Sequence, residues 1–138
     1  MFRTIAAAAL ILVVQSATAV AQTSSQPASC AGPVITSASV KDVVPQGNLN
    51  RYDIVATVVN NSGQTQSKDM LQFVDVYHAG DKLDDRGVPP LAAGQSYTVP
   101  YSYFRSRDAG NGTTKLIFAM DFRQGQPQCP GDRMAVTF

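Results

Sequence analysis

Hydrophobic and polar residues alternate in short runs along this chain, and most runs end at Gly, Pro, Asn or Asp. Period-two runs of this kind, bounded by turn formers, are typical of β-strands, and the pattern predicts about seven of them. No helical period separates the runs, so there is no room for βαβ crossovers and the fold is an antiparallel sandwich or barrel. The predicted strands are VITSASV, RYDIVATVV, MLQFVDVYHA, KLDDR, the stretch from about Gln95, TTKLIFAMDF and RMAVTF.

Turn residues predict how several of these strands connect. The stretch VVPQGNLN, residues 43–50, is rich in turn formers and predicts a loop between the first two strands. Residues Gly80-Asp81 place glycine at the first central position of a two-residue type II′ hairpin, which would return KLDDR antiparallel to the preceding strand.

The stretch PPLAAGQSYTVPYSYF, residues 89–104, combines a turn with a strand that contains a proline. Its inward face would carry Tyr97, Val99, Tyr101 and Tyr103, with Pro100 in the opposite register. Because proline cannot donate to a ladder, Pro100 either marks an edge strand or interrupts one side of its pairing.

The N-terminus has the pattern of a secretory signal peptide. Arg3 precedes the apolar run IAAAALILVV, and Ala19-Val20-Ala21 offers small residues for cleavage. Gln15 and Ser16 interrupt the apolar run before it reaches the length of a membrane anchor. We therefore expect a signal peptide over residues 1–21, a flexible leader over 22–29 and a domain over 30–138, with a periplasmic or secreted location and no other membrane-spanning segment.

Charge and composition narrow the function classes. Eleven Lys and Arg stand against ten acidic residues, and loss of Arg3 with the signal leaves a balanced mature chain. Such balance provides no field for nucleic acid or an anionic membrane. All the acidic residues are Asp, which favours turns over long surface helices. We find no phosphate-binding loop and no Cys-x-x-Cys motif, so no cofactor is predicted.

Cys30 and Cys129 are the two cysteines of the chain. In an exported domain such a pair predicts one disulfide, whereas two distant cysteines and one histidine do not make a zinc site. A bridge closing a loop of about 100 residues contributes about 4 to 5 kcal/mol on a chain-entropy model.

Several motifs resemble the CARDB family, an immunoglobulin-like bacterial extracellular module. They are VVNNSGQTQS with its Asn61-Ser62-Gly63 turn, FVDVYHAGDK, VPPLAAGQSYTVPYSY with Leu91-Ala92-Ala93-Gly94, and LIFAMDF. The resemblance covers most of residues 34–138 and implies an immunoglobulin-like antiparallel β-sandwich of about seven strands, used for adhesion or scaffolding. After Asp121 the chain continues FRQGQPQCPGD, which departs from the acidic, Asn-rich run of many members and lacks its calcium-binding oxygens.

In such a sandwich the first and last strands can run parallel. Cys30 and Cys129 would then precede two neighbouring strand beginnings at the same end of the domain, as a disulfide requires.

Period two also predicts which side chains face the core. Val74, Val76 and His78 would point inward, as would Leu116, Phe118, Met120 and Phe122, followed by Met134, Val136 and Phe138. In the second strand both Ile54-Ala56-Val58 and Asp53-Val55-Thr57-Val59 are fairly apolar, which leaves its facing open. The opposite face of the third and sixth strands would expose an aromatic patch with a charged rim, which is either a binding surface or scattered surface aromatics. The patch comprises Phe73, Asp75, Tyr77, Lys115, Ile117 and Asp121.

Candidate catalytic and metal-binding groups are few. His78 is the one histidine, and its predicted inward direction favours a core-edge residue over a catalytic triad. Asp81, Asp84 and Asp85 are weak candidates for a metal, because Lys82 and Arg86 lie among them. Asn60-Asn61-Ser62 and Asn111-Gly112-Thr113 match glycosylation sequons, but turn chemistry alone explains both.

These observations predict an exported, noncatalytic binding or structural module that recognises a protein or cell-envelope surface partner. The alternative is a small exported hydrolase or enzyme accessory subunit, with a site near His78 or the Asp81–Asp85 hairpin. Neither nucleic acid nor a cofactor is expected, and the sequence leaves the oligomeric state open.

Overall fold

The computed structural model describes residues 32–110, 112–123 and 133–138. Within these ranges the chain forms seven β-strands, as the hydrophobic pattern predicts. They are β1 (Pro33–Gln46), β2 (Leu49–Asn60), β3 (Gln72–His78), β4 (Asp81–Val88), β5 (Ser96–Ser106), β6 (Lys115–Phe122) and β7 (Arg133–Thr137), with a 3₁₀ turn at Arg107–Ala109 between β5 and β6. The predicted signal peptide and leader and both cysteines lie outside the described residues.

The strands form two antiparallel sheets that pack face to face as an immunoglobulin-like sandwich. One sheet has the order β1-β2-β5, and the other has the order β4-β3-β6-β7. Strands β1 and β7 contact each other across the two sheets. Phe138, just after β7, stacks on Tyr52 at 4.4 Å between ring centroids, and Tyr52 is paired with Val43 late in β1. Strands β1 and β7 therefore run in the same direction.

The core lies between the sheets and follows the predicted facing. Phe118 and Leu116 of β6 and Val74 and Val76 of β3 are fully buried. Strand β2 buries Ile54, Ala56 and Val58, which decides the ambiguity of its two apolar faces. From β5, Val99 is buried while Tyr97, Tyr101 and Tyr103 pack half-buried against the core, so this strand is a wall of the sandwich.

The predicted loop over residues 43–50 is wrong for most of its length. Strand β1 continues to Gln46 and turns back through Gly47-Asn48, with Gly47 in the left-handed region at φ 58°. Pro45, which suggested a loop, pairs with Asn50 inside the ladder. A proline is tolerated there because β1 is an edge strand.

The β3–β4 hairpin turns one residue earlier than predicted. His78 pairs with Asp81, so the central turn residues are Ala79 and Gly80, with φ of 50° and 91°. Two positive φ angles belong to a type I′ turn and not to the predicted type II′ turn. The antiparallel return of β4 is confirmed.

The edge strands carry features that hinder pairing with further strands. Strand β5 is an edge, as Pro100 predicts, and this proline lies opposite Val55 of β2. Strand β1 has register shifts between Ile35 and Ser37 and between Val40 and Asp42. Strand β4 is rich in charge and β7 has five residues. Proline, bulges, charges and short length are the usual means of blocking edge-to-edge association.

Asn60, the last residue of β2, ties two loops together. Its side chain is fully buried and donates from Nδ2 to the carbonyl oxygens of Gln64 at 2.8 Å, Leu91 at 3.0 Å and Ala92 at 3.2 Å. Its Oδ1 accepts from the Ser62 hydroxyl at 2.7 Å. The side chain of Asn60 therefore joins the Asn61-Ser62-Gly63 turn to the Leu91-Ala92-Ala93-Gly94 turn. This role agrees with turn chemistry as the reason for the sequon that begins at Asn60. The second sequon residue, Asn111, lies outside the described residues.

Candidate binding face on the four-stranded sheet

The solvent side of the four-stranded sheet, here called the outer face, presents its side chains in rows across the strands. The ladder registers define these rows directly. One row is Asp85, Asp75, Ala119 and Arg133; the next is Lys82, Tyr77, Ile117 and Ala135; the third is Gly87, Phe73 and Asp121. Apolar groups thus occupy the middle strands, β3 and β6, and several charged groups lie at the borders.

A bulge in β4 decides which residue joins the second row. Val76 pairs with Asp84, but Tyr77 pairs with Lys82, so Leu83 is the extra residue in the ladder. Without the bulge, strict alternation would place Leu83 opposite Tyr77 and turn Lys82 toward the other side. The bulge therefore brings the Lys82 ammonium group to the outer face and leaves Leu83 exposed.

Asp75 lies at the centre of the outer face and is buried, with 4% of its surface exposed. Its expected position on an exposed rim is wrong, because neighbouring side chains cover it. Lys82 Nζ lies 2.9 Å from Asp75 Oδ1 as an ion pair, and the Tyr77 hydroxyl donates to Oδ2 at 3.2 Å. Among the described residues Oδ1 has no donor with hydrogen-bond geometry, so the ion pair is its main compensation.

Lys82 also relieves a repulsion between two carboxylates. Asp75 and Asp85 are direct partners on neighbouring strands, an arrangement that destabilises a sheet when both are charged. Lys82 Nζ lies 3.3 Å from Asp85 Oδ2 and so bridges the two carboxylates. The close approach of the Asp75 carboxylate, followed by that of the Asp85 carboxylate, outweighs partial burial and raises the pKa of Lys82.

Arg123, just after β6, extends this network to a third carboxylate. Its Nη2 donates to Asp85 Oδ2 at 2.9 Å and its Nε donates to Asp121 Oδ2 at 2.9 Å. The hydrogen bond from Lys82, and then the one from Arg123, lower the pKa of Asp85. Asp121 is therefore part of a charge network and not an isolated rim residue.

Both predicted aromatic residues of the patch lie beneath arginine side chains. The Arg123 guanidinium carbon lies 4.3 Å from the centre of the Phe73 ring, and that of Arg133 lies 5.9 Å from the centre of the Tyr77 ring. Phe73, Tyr77 and Ile117 are half-buried, while Lys115 stays exposed. Burial is the main reason that the pKa of Tyr77 is raised, followed by the negative charge of Asp75.

His78 lies at the edge of the core, facing inward as predicted. Its Nδ1 is 3.1 Å from the main-chain oxygen of Lys115, and its ring packs against Tyr103 at 5.9 Å between centroids. Within the described residues, no hydroxyl or carboxylate forms a hydrogen bond with this imidazole. The environment is therefore that of a packed side chain held by a main-chain group.

The three aspartates of the hairpin are not brought together. Asp84 pairs with Arg86 at 2.7 Å, while Asp85 points to the outer face and pairs with Lys82 and Arg123. Neighbouring residues of a strand point to opposite faces, so Asp84 and Asp85 cannot share an ion. No cluster of three or more His, Cys, Asp or Glu in the described ranges has the geometry for a metal.

The solvent side of the three-stranded sheet has a different character. Its central row residues Val55 and Thr57 are half-buried among small side chains, and Arg51 forms a bidentate ion pair with Asp53 at 2.9 Å. Phe104 is an isolated exposed aromatic residue there, with 49% of its surface accessible. Substitutions on this side therefore serve as controls for substitutions on the outer face.

Sequence reasoning identified Phe73, Tyr77 and Ile117 on the outer face but missed the cations that cover it. Lys82 reaches the face through a bulge, and Arg123 reaches Asp85 across 38 positions of the chain. The one signal available in the sequence was the period-two spacing that places Phe73 and Tyr77 on the same side of β3. No local signal pairs Arg123 or Arg133 with an aromatic ring on another strand.

Comparison with known proteins gives one family. The family model of CARDB matches residues 34–123, which is more than half of the chain. No curated protein and no solved structure matches the chain significantly. None of the helices in the described part of the chain is long and apolar enough to span a membrane.

Proposed function

The chain belongs to the CARDB family, and from this premise we propose that it is an exported, noncatalytic module that recognises a protein partner through its outer face. CARDB domains are noncatalytic, immunoglobulin-like, adhesion-related modules of bacterial extracellular or surface proteins. Export to the periplasm or the medium is supported by the signal-peptide pattern of residues 1–21. Without a catalytic role, such a module acts through a partner or a surface.

One observation carries the choice of the outer face: two arginine–aromatic contacts lie on it, one on each side of the Asp75 row. Phe73 lies under Arg123 and Tyr77 under Arg133, around the buried Asp75. Aromatic residues and arginine are enriched in protein interfaces and at the positions that dominate binding energy. The half-buried rings provide an apolar centre and the charged network a polar rim, which is the usual anatomy of a recognition surface.

Replacing Phe73 and Tyr77 together by Ser is expected to weaken partner capture by about tenfold or more, because each anchoring aromatic residue contributes about 1 kcal/mol or more to binding. The measurement is a pull-down with the mature chain as bait, from the native envelope and medium, followed by titration of the captured protein. Thermal unfolding of the variant reports whether the fold persists.

Phe104→Ser is the matched control, since it removes an exposed ring from the opposite sheet. This variant should capture the partner as well as the unchanged protein does. Equal capture by the double variant and by the control would exclude the outer face as the binding surface.

A further inference from the structure

Charge on the outer face is divided between its two sides. On this face strands β4 and β3 carry two carboxylates, Asp85 and Asp75, against one cation, Lys82, which leaves one negative charge in excess on that side. On the β7 side Arg133 and Lys115 form no ion pair with any residue in the described ranges, so positive charge is in excess. The face is therefore dipolar across its width. On the β6 and β7 side Asp121 pairs with Arg123, so the excess positive charge there is that of Lys115 and Arg133.

The opposite charges occupy two ends of one row. Asp85 on β4 pairs with Asp75, Asp75 with Ala119, and Ala119 with Arg133 on β7. Consider two copies whose outer faces meet, related by a two-fold axis that runs parallel to the strands between them. This axis places β4 of one copy opposite β7 of the other, and each row faces the same row of the second copy. Asp85 of one copy then faces Arg133 of the other, and the same contact occurs twice.

We propose that the partner on the outer face is a second copy of this chain, related by that two-fold axis. This inference rests on the proposed function, since it uses the same face. The interface is isologous, as in most protein dimers. The row of Tyr77, Ile117 and Ala135 supplies its apolar centre, and the two Asp85–Arg133 contacts supply its charged ends. A partner carrying one sign of charge meets repulsion on one side of this face, whereas a second copy is complementary on both.

The size of the face agrees with a weak, reversible dimer. Four strands spaced about 4.8 Å apart give a width of about 19 Å. The outward residues of β6 form four levels, because Lys115, paired with Thr137, adds one level to the three rows described above, and a spacing of about 6.8 Å gives a height of about 27 Å. The buried area is then about 500 Å² for each copy and about 1,000 Å² in total, which is the lower limit for a specific interface. Self-association should therefore depend on concentration and on salt.

A reciprocal charge exchange tests the pairing. Arg133→Asp places Asp opposite Asp85, and Asp85→Arg places Arg opposite Arg133, so each variant alone meets like charges at both ends of the interface. Each single variant is expected to lower self-association at least about tenfold. An equimolar mixture of the two variants restores an attractive pair at both ends and should form a one-to-one heterodimer.

The measurement is sedimentation velocity of the full mature chain at low ionic strength over a range of concentrations. Lys41→Asp is the control, because it makes the same charge change as Arg133→Asp at an exposed position on β1 of the other sheet. Thermal unfolding of Asp85→Arg shows whether loss of its ion pairs to Lys82 and Arg123 affects folding. Arg133→Asp disrupts no ion pair of the described residues, so it tests the interface independently.

A dimer of the unchanged chain, weakened in each single variant and recovered in the mixture, supports the proposal. A chain that stays monomeric at all concentrations overturns it, as does a mixture that fails to associate or an Arg133→Asp variant that associates like the control. If the chain is monomeric but Phe73→Ser with Tyr77→Ser still weakens capture of another envelope protein, the second copy is excluded and the proposed function stands. If neither measurement responds, both proposals fail.

Discussion

Replacing Asn60 by Ala is expected to lower the free energy of unfolding by about 2 kcal/mol or more, since the protein loses the two N–H donors of a buried amide, whose hydrogen bonds contribute about 1 kcal/mol each. The amide is fully buried and joins the β2–β3 loop to the β4–β5 loop through the carbonyl oxygens of Gln64, Leu91 and Ala92. Each carbonyl oxygen keeps one other donor, namely Ser62 Oγ, Gln66 N or Gln95 N, so the loss falls on the buried amide and on the contact that it makes between the two loops. Urea unfolding followed by tyrosine fluorescence measures the change.

Asn61→Ala is the matched control for this substitution. Asn61 is the exposed neighbour in the same turn, and its replacement should change stability by no more than about 0.5 kcal/mol, as for ordinary surface positions. Asn60→Asp keeps the acceptor for Ser62 but removes the donors, so it should be as destabilising as Asn60→Ala or more. Equal stability of the Asn60 and Asn61 variants would contradict the interlocked-turn interpretation.

Loss of the proposed disulfide between Cys30 and Cys129 has the largest effect we expect. Replacing both cysteines by Ser should lower the free energy of unfolding by about 4 to 5 kcal/mol, since the bridge closes a loop of about 100 residues. Both cysteines lie outside the described residues. Support comes from the common direction of β1 and β7, whose beginnings follow the two cysteines in the sequence. Urea unfolding of protein expressed in the periplasm, with and without the substitutions, measures the change.

The intact mass of periplasmically expressed protein, after alkylation with and without reductant, reports whether the bridge forms. Reductant should destabilise the unchanged chain and leave the double Ser variant unaffected, which separates the bridge from other effects of reduction. Two alkylated cysteines without any reductant would exclude the disulfide.

The strands and the core could be predicted because they depend on local alternation. Leu116, Phe118 and Met120 repeat with period two, and such a pattern buries one face wherever the strand is placed. Pro100 likewise indicated an edge from its missing donor alone. The hairpin was misjudged by one residue because a non-glycine residue, Ala79, takes a positive φ that sequence preference argues against.

The chemistry of the outer face could not be predicted in the same way. A bulge shifts the register by one position, and which residue is extra depends on packing against the neighbouring strand. Burial of Asp75 follows from that shift, because the bulge delivers Lys82 above it. Arg123 meets Asp85 through the fold and not through any local spacing. Alternation therefore identified the aromatic residues, while the tertiary fold determined the charges around them.

The protected edge strands have a consequence for how such domains behave when crowded. Strand β5 has its proline, β1 its irregular register and β4 its charges, while β7 is short, so backbone pairing from one molecule to the next is hindered at every edge. In a two-fold dimer each copy covers the outer face of the other, so no free outer face remains to bind a third copy. If the proposed dimer forms, a dense layer of these domains holds pairs without growing into fibres, and its degree of association follows the surface density and the salt concentration.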